Sequence, residues 1–354
     1  MEINIGKILT QAIPNLEALE ETLTNKPGTI FPTRLRPRAI VDDRDGATAP
    51  MADPVAERAR LLEGARSAIN NIRKNGPDTP LSPDEKEGAE ALVAIVGRPP
   101  LLIQGGKFEK PPDTWKILSD RRTMIEGTFP SVGRIELEGH PKMTRAGTGF
   151  LAASDVIATN RHVAKVFCEQ GADGEWSIMP GVTASIDFLQ EYEGTTSSDF
   201  VLSEVIGVHD TFDLAFFRVA HTSRQGKALP QPLAIEANGR DVAIGRLVYV
   251  VSYPAYDYWN PDLSMMRRLF SEAFEVKRLQ PGMVMAVLAR ESLLLHDCST
   301  LGGSSGAPVI DLETHRVIGV HYYGEHLVAN RAMALWKLRE DTLLQRARLN
   351  FASF

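Results

Sequence analysis

The chain has 354 residues, a formal net charge of −6 and two cysteines, Cys168 and Cys298. That length exceeds one small domain. The charge excludes a nucleic-acid footprint spread over the chain, the cysteine count excludes a multiply disulfide-stapled scaffold, and no apolar run is long enough to cross a membrane. Two thiols, with an N-terminus (Met1-Glu2-Ile3-Asn4) lacking the basic and apolar regions of a signal peptide, give the expectation of a soluble cytoplasmic protein without nucleic-acid or membrane partners.

The first 130 residues read as helical. Ile5, Ile8, Leu9, Ile13, Leu16, Leu19 and Leu23 recur at spacings of mostly three to four, with Pro14 predicting a kink or two short helices. Residues 28–52 are rich in Pro, Arg and Asp and read as a loop, Arg34, Arg36 and Arg38 included. Asp53-Pro54 opens a helix running to about Lys74, before Gly76-Pro77. Ser82 with Glu85 forms a capping box for another, ending at Gly97 and Pro99. A further helix is predicted from Asp113 to about Gly127.

After Pro130 the pattern changes to alternation with β-branched residues. Six strands are predicted at Val132–Leu137, Gly147–Ala153, Val156–Ala158, Ser177–Phe188, Val201–Val208 and Leu214–Val219. A linker near residues 228–238 precedes six more: Leu247–Val251, Phe270–Val276, Met283–Leu288, Leu293–His296, Ala307–Ile310 and Val317–Tyr322. Residues 335–349 read as a C-terminal helix. The fold class expected is mainly β: two six-stranded antiparallel barrels, about 131–225 and 240–335, preceded by helices and closed by one.

Three segments carry chemistry. In Gly303-Ser304-Ser305-Gly306-Ala307-Pro308, glycines flank a serine that would need a neighbouring base and oxyanion donors to act as a nucleophile. A Gly/Ser turn is also common in any loop. Thr159-Asn160-Arg161-His162-Val163-Ala164 puts a histidine at a strand end, on the rim of a barrel. Asp213-Leu214-Ala215-Phe216-Phe217 puts an acid before an apolar strand, where burial would let it orient an imidazole.

These segments, with Gly147-Thr148-Gly149-Phe150 and in the chain order His, Asp, Ser, resemble trypsin-like serine peptidases of the chymotrypsin superfamily over roughly residues 131–340. The resemblance implies a serine endopeptidase that needs no cofactor or metal and acts on protein or peptide substrates. It implies that His162 is general base and acid, Asp213 its orienter and Ser305 the nucleophile, with the N–H groups of Gly303 and Ser305 as the oxyanion hole. Ser304 and Asp210 are the neighbours that fall out of the motif register. Secreted relatives carry an aspartate where Ser304 stands, so activation by a freed N-terminus is not available. Ser252, where bacterial relatives often have glycine, reads as a tolerated packing change.

For the S1 pocket the resemblance points to Ser299, Thr300, His321 and Tyr322. The Thr300–His321 pair is similar to the one with which glutamyl endopeptidases hold an acidic P1 side chain, a protonated His321 adding charge; small or apolar P1 residues stay open. His140, His209, His296, His315 and His326 read as structural or surface groups. The lead-in from Ala91 is similar to bacterial cytoplasmic members whose activity a partner gates in stress or defence systems. Residues 1–130 are therefore expected to be a regulatory, partner-binding module. The alternative is a latent protease-fold interaction module held off by those helices.

Overall fold

The computed structural model describes residues 4–25, 54–256, 266–267, 269–325 and 329–352. Asp53, the loop at 28–52 and His326 lie outside them. The chain divides into two compact units: residues 1–99, 112–114 and 258–273, and residues 100–111, 115–257 and 274–354.

The first unit is helical. Pro14 separates α1 (Ile5–Ala12) from α2 (Leu16–Asn25). Asn4 caps α1 by accepting from the Lys7 N–H, and Ile5, Leu9, Leu16, Leu19 and Leu23 are buried. Next come α3 (Pro54–Asn75) and α4 (Pro83–Leu92). At α4 the capping box forms: Ser82 Oγ accepts from Glu85 N, and Glu85 Oε2 accepts from Ser82 N. One π-helical turn, Val93–Gly97, ends the run. No helix among the described residues is long and apolar enough to cross a membrane.

The second unit begins with a hairpin that the helical reading of residues 1–130 missed. Strands β1 (Leu101–Gln104) and β2 (Lys107–Phe108) pair across Gly105-Gly106, whose φ of +60° and +72° suit a two-residue hairpin turn. The predicted helix from Asp113 is broken into a 3-10 turn (Asp113–Trp115), α5 (Lys116–Asp120) and α6 (Arg122–Glu126).

Then follow β3 (Val132–Glu138), β4 (Arg145–Ala153) and β5 (Val156–Thr159), α7 (Arg161–Phe167), and β6 (Cys168–Gln170) with β7 (Trp176–Ile178). The predicted strand 177–188 is thus split, its second half being β8 (Thr183–Asp187). With β9 (Asp199–Val208) and β10 (Ala215–Val219), the order β10-β5-β4-β3-β8-β9 closes a barrel. Its interior holds Ile135, Leu151, Ile157, Phe200 and Phe217, which alternate with outward residues as a strand period of two requires.

The second barrel comprises β11 (Leu247–Ser252), β12 (Arg278–Leu288), β13 (Leu293–His296), β14 (Pro308–Asp311), β15 (Val317–Glu325) and β16 (Ala329–Ala334). The order β11-β14-β15-β16-β13-β12 closes through β11–β12 pairing, and β1 adds to β12. Two expectations fail here. Phe270–Val276 is not a strand: Ser271, Glu272 and Glu275 have φ of +50°, +55° and +64°, outside any strand conformation. The sixth strand is β16, which the sequence reading passed over. The C-terminal segment is a 3-10 turn (Leu335–Leu338) and α8 (Thr342–Ala347), shorter than predicted. Cys168 and Cys298 are buried and form no disulfide, and burial pushes the Cys168 thiol up to about 12.

Candidate active site

The register of the first barrel brings His162 to Asp213. Thr159, the last residue of β5, lies opposite Ala215, the first of β10. The residues just after β5 therefore face those just before β10. His162 Nδ1 and Asp213 Oδ2 are 2.7 Å apart, and the His162 main-chain N–H donates to Asp213 Oδ1 at 2.9 Å. Both carboxylate oxygens are thus used, one on the ring and one on the backbone that carries it. Burial alone would raise the Asp213 carboxyl, but the hydrogen bond from His162 and its charge outweigh that and hold it below the ordinary carboxylate value.

Two neighbours fix this arrangement. Asn160, fully buried, donates from Nδ2 to the Asp213 carbonyl at 2.9 Å. Arg161 reaches the carbonyls of His209 and Asp210. Asp210 thus takes part through its backbone.

Thr148 of β4 ties the Gly303–Ala307 turn of the second barrel to the first. Its N–H donates to the Ser305 carbonyl at 2.9 Å, and its Oγ1 donates to the Gly303 carbonyl at 2.7 Å. Beside it, a Cβ on Gly147 would lie 3.0 Å from the Ser305 carbonyl oxygen and 3.1 Å from Val163 Cγ2. The Gly-Thr-Gly-Phe segment is where the turn carrying Ser305 and the His162 helix meet. The Ser304, Gly306 and Ala307 N–H groups each donate to a carbonyl, of Leu301, His321 and Ser304 respectively. Ser305 stands half-buried at the head of this turn.

Residues 147–320 match the family model described as a trypsin-like peptidase domain. The chain carries a trypsin-like peptidase domain over that stretch and is a serine endopeptidase. It is 27 % identical over 353 residues to a probable serine protease of Lysobacter enzymogenes, covering 90 % of this chain and 85 % of that protein. It is 29 % identical over 182 residues to a glutamyl endopeptidase of Staphylococcus epidermidis, covering 51 % and 54 %. Among solved structures it is similar to Deg5 (TM-score 0.42, 18 % identity, 66 % of this chain and 95 % of that one). It is also similar to the active form of the Rv3671c protease of M. tuberculosis (TM-score 0.41, 18 % identity, 65 % and 85 %).

The peptidase secures the turn carrying Ser305 without charge. Ser304, fully buried, shares a 2.9 Å bond with Ser252 Oγ, which donates to Gln280 Oε1 at 2.6 Å; Gln280 Nε2 donates to the Ser299 carbonyl at 2.5 Å. Ser252 is therefore no mere packing change, as the sequence suggested. It joins the turn to the β11–β12 floor. Ser252→Ala strands a buried Ser304 hydroxyl and a buried amide oxygen, at about 1–3 kcal/mol. Thermal unfolding should register that loss, and kcat should fall as the turn carrying Ser305 loses its anchor.

Around the predicted S1 residues the structure adds Asn330, on the unpredicted β16. Thr300 Oγ1 donates to Asn330 Oδ1 at 2.8 Å, and Asn330 Nδ2 donates to the Cys298 carbonyl at 2.6 Å. His296, directly opposite Asn330 in the β13–β16 register, places Nε2 3.2 Å from His321 Nδ1. His321 is only 3 % exposed, and burial followed by the nearby His162 charge pushes it down to about 3. Burial therefore disfavours a protonated His321 as a source of charge in the pocket. Ser299 contributes a carbonyl to the Gln280 bond, and the Tyr322 hydroxyl is hydrogen-bonded to Arg331. Depressions of about 260 and 340 Å³ are lined by none of these residues. Among the described residues, no three His, Cys, Asp or Glu side chains gather to hold a metal.

Proposed function

We propose that His162, Asp213 and Ser305 are the catalytic triad of this endopeptidase. The observation carrying the assignment is the double contact of Asp213 with the ring and the main-chain N–H of His162. With Nδ1–H bonded to Asp213, His162 presents a bare Nε2 to accept the Ser305 proton. Ser305 Oγ attacks the substrate carbonyl, and His162 then returns the proton to the leaving amine. Water completes the cycle through the acyl-enzyme. Since the N–H groups of Ser304, Gly306 and Ala307 are already spent on carbonyls, those of Gly303 and Ser305 serve the oxyanion. Thr300 and His321 line the S1 pocket, with Ser299 and Tyr322 at its edges. The enzyme acts in the cytoplasm on protein substrates, and the helices within residues 1–130 take a regulatory protein partner, in a bacterial stress or defence response.

A fluorophosphonate probe tests the assignment. Wild-type protein should be labelled on Ser305, and Ser305→Ala should lose both labelling and turnover with unfolding temperature unchanged. Failure of the full-length wild type to label would sink the triad.

A further inference from the structure

The tautomers of two buried histidines follow from their surroundings. His296 is fully buried, and among the described residues its Nδ1 is a sealed polar atom with no partner. Its Nε2 faces His321 Nδ1 at 3.2 Å, so one of these two nitrogens carries the proton between them. If His321 carried it on Nδ1, neutral His296 would bear its own proton on Nδ1, as a sealed N–H without an acceptor. If His296 carries it on Nε2, only a bare lone pair is sealed, and orphaned donors are the rarer case in proteins. His321 then holds its proton on Nε2. Burial favours the neutral form of both rings, pushing each far below the usual histidine value.

The opposite polarity comes from Thr300. Asn330 Nδ2 is committed to the Cys298 carbonyl, which fixes Asn330 Oδ1 as the atom facing Thr300. An amide oxygen only accepts, so the single Thr300 hydroxyl hydrogen is spent on it. What Thr300 offers a ligand is a lone pair. Gly324 keeps this pair uncovered: a Cβ there would lie 2.4 Å from Asn330 Oδ1 and 3.5 Å from Thr300 Oγ1. The charged residue nearest along β16, Arg331, is engaged elsewhere, bonded to the Tyr322 hydroxyl and lying 5.4 Å from the Tyr323 ring centroid.

We propose that the S1 pocket, one donor at His321 Nε2 and one acceptor at Thr300 Oγ1, selects the carboxamide of glutamine at P1 over the carboxylate of glutamate. The inference rests on the triad reading for the position of S1. Glutamine satisfies both groups, its oxygen accepting from His321 and its NH₂ donating to Thr300. Glutamate gains the first bond but sets a second oxygen against the Thr300 lone pair. Turning the Thr300 hydroxyl toward that oxygen would strip Asn330 Oδ1 of its donor, and no protonated histidine offsets the buried charge.

Peptides identical except for Gln, Glu or Met at P1 decide the matter with the full-length wild-type protein at mildly alkaline pH. kcat/KM should be higher for Gln than for Glu by about tenfold or more, the effect of one mispaired buried group. Thr300→Val should bring the Gln-to-Met ratio down toward one. Binding of the Gln and Glu peptides to full-length Ser305→Ala, read by fluorescence anisotropy, ranks them without turnover. Loss of cleavage of every peptide therefore counts against the triad, while this ranking still judges the pocket. Glutamate cleaved or bound as well as glutamine, undetectable binding of both where turnover fails, or a Gln-to-Met ratio unmoved by Thr300→Val, overturns the proposal.

Discussion

Asp213→Asn is expected to lower kcat by about 10⁴-fold while leaving unfolding temperature nearly unchanged. The carboxamide has the size and shape of the carboxylate, so packing survives. It has only one acceptor oxygen, however, and two N–H groups of His162 ask for one. If that oxygen stays with the main-chain N–H, the NH₂ group confronts ring Nδ1 and forces it to accept. The ring proton then moves to Nε2, the nitrogen that must take the proton from Ser305. A kcat within tenfold of wild type would remove Asp213 from the proposed triad.

The same carboxylate gives a sign for acid stability. Its folded-state value is depressed, so its contribution is fully present above the ordinary carboxylate value of about 4 and is lost as pH falls through the folded value. Protonation of Asp213 therefore belongs to acid unfolding, well below the range in which a histidine base works.

What could be read from the sequence was local. Pro14 splits a helix because its ring cannot continue one, and the Ser82–Glu85 box closes a helix start within four residues. The segments around His162, Asp213 and Ser305 announce their chemistry because each carries a reactive side chain in a turn of fixed composition. What stayed hidden depends on partners distant in the chain. β16 reads Ala-Asn-Arg-Ala-Met-Ala, a poor strand former, and is a strand because β13 and β15 flank it. Asn330 was missed with it. β12 includes Gln280-Pro281-Gly282, which look like a turn, yet they pair with Val250, Tyr249 and Val248. The burial of His321 against His296, which disfavours its charged form, is likewise a tertiary fact. Ser252 needed Ser304 and Gln280 beside it before its hydroxyl had a meaning. One miss was avoidable: Gly105-Gly106 between Ile103-Gln104 and Lys107-Phe108, each an apolar–polar pair, is a hairpin signal in its own right.

Gly306→Ala should be among the most damaging single-methyl changes in the peptidase. Gly306 has φ of +90°, which an L side chain adopts at a cost of about 1–2 kcal/mol. Its Cβ would lie 2.0 Å from the Thr148 carbonyl oxygen and 2.3 Å from Thr159 Oγ1, well inside contact distance. Neither atom can yield cheaply. Thr148 is a β4 residue whose carbonyl accepts from Thr159 Oγ1 at 2.8 Å and whose N–H holds Ser305. Relief must come from the turn itself, which swings away and takes Ser305 with it. A destabilisation of about 4 kcal/mol or more follows, or roughly 10 °C in unfolding temperature for a domain of this size. Activity should fall further than stability, since a displacement of about 1 Å at the reacting atom costs on the order of 10² in rate. Gly302→Ala is the control in the same turn: nothing lies within 4 Å of its Cβ position, and stability should change by no more than about 0.5 kcal/mol. If both variants unfold alike, the contact of Gly306 with Thr148 does not hold the nucleophile turn in place.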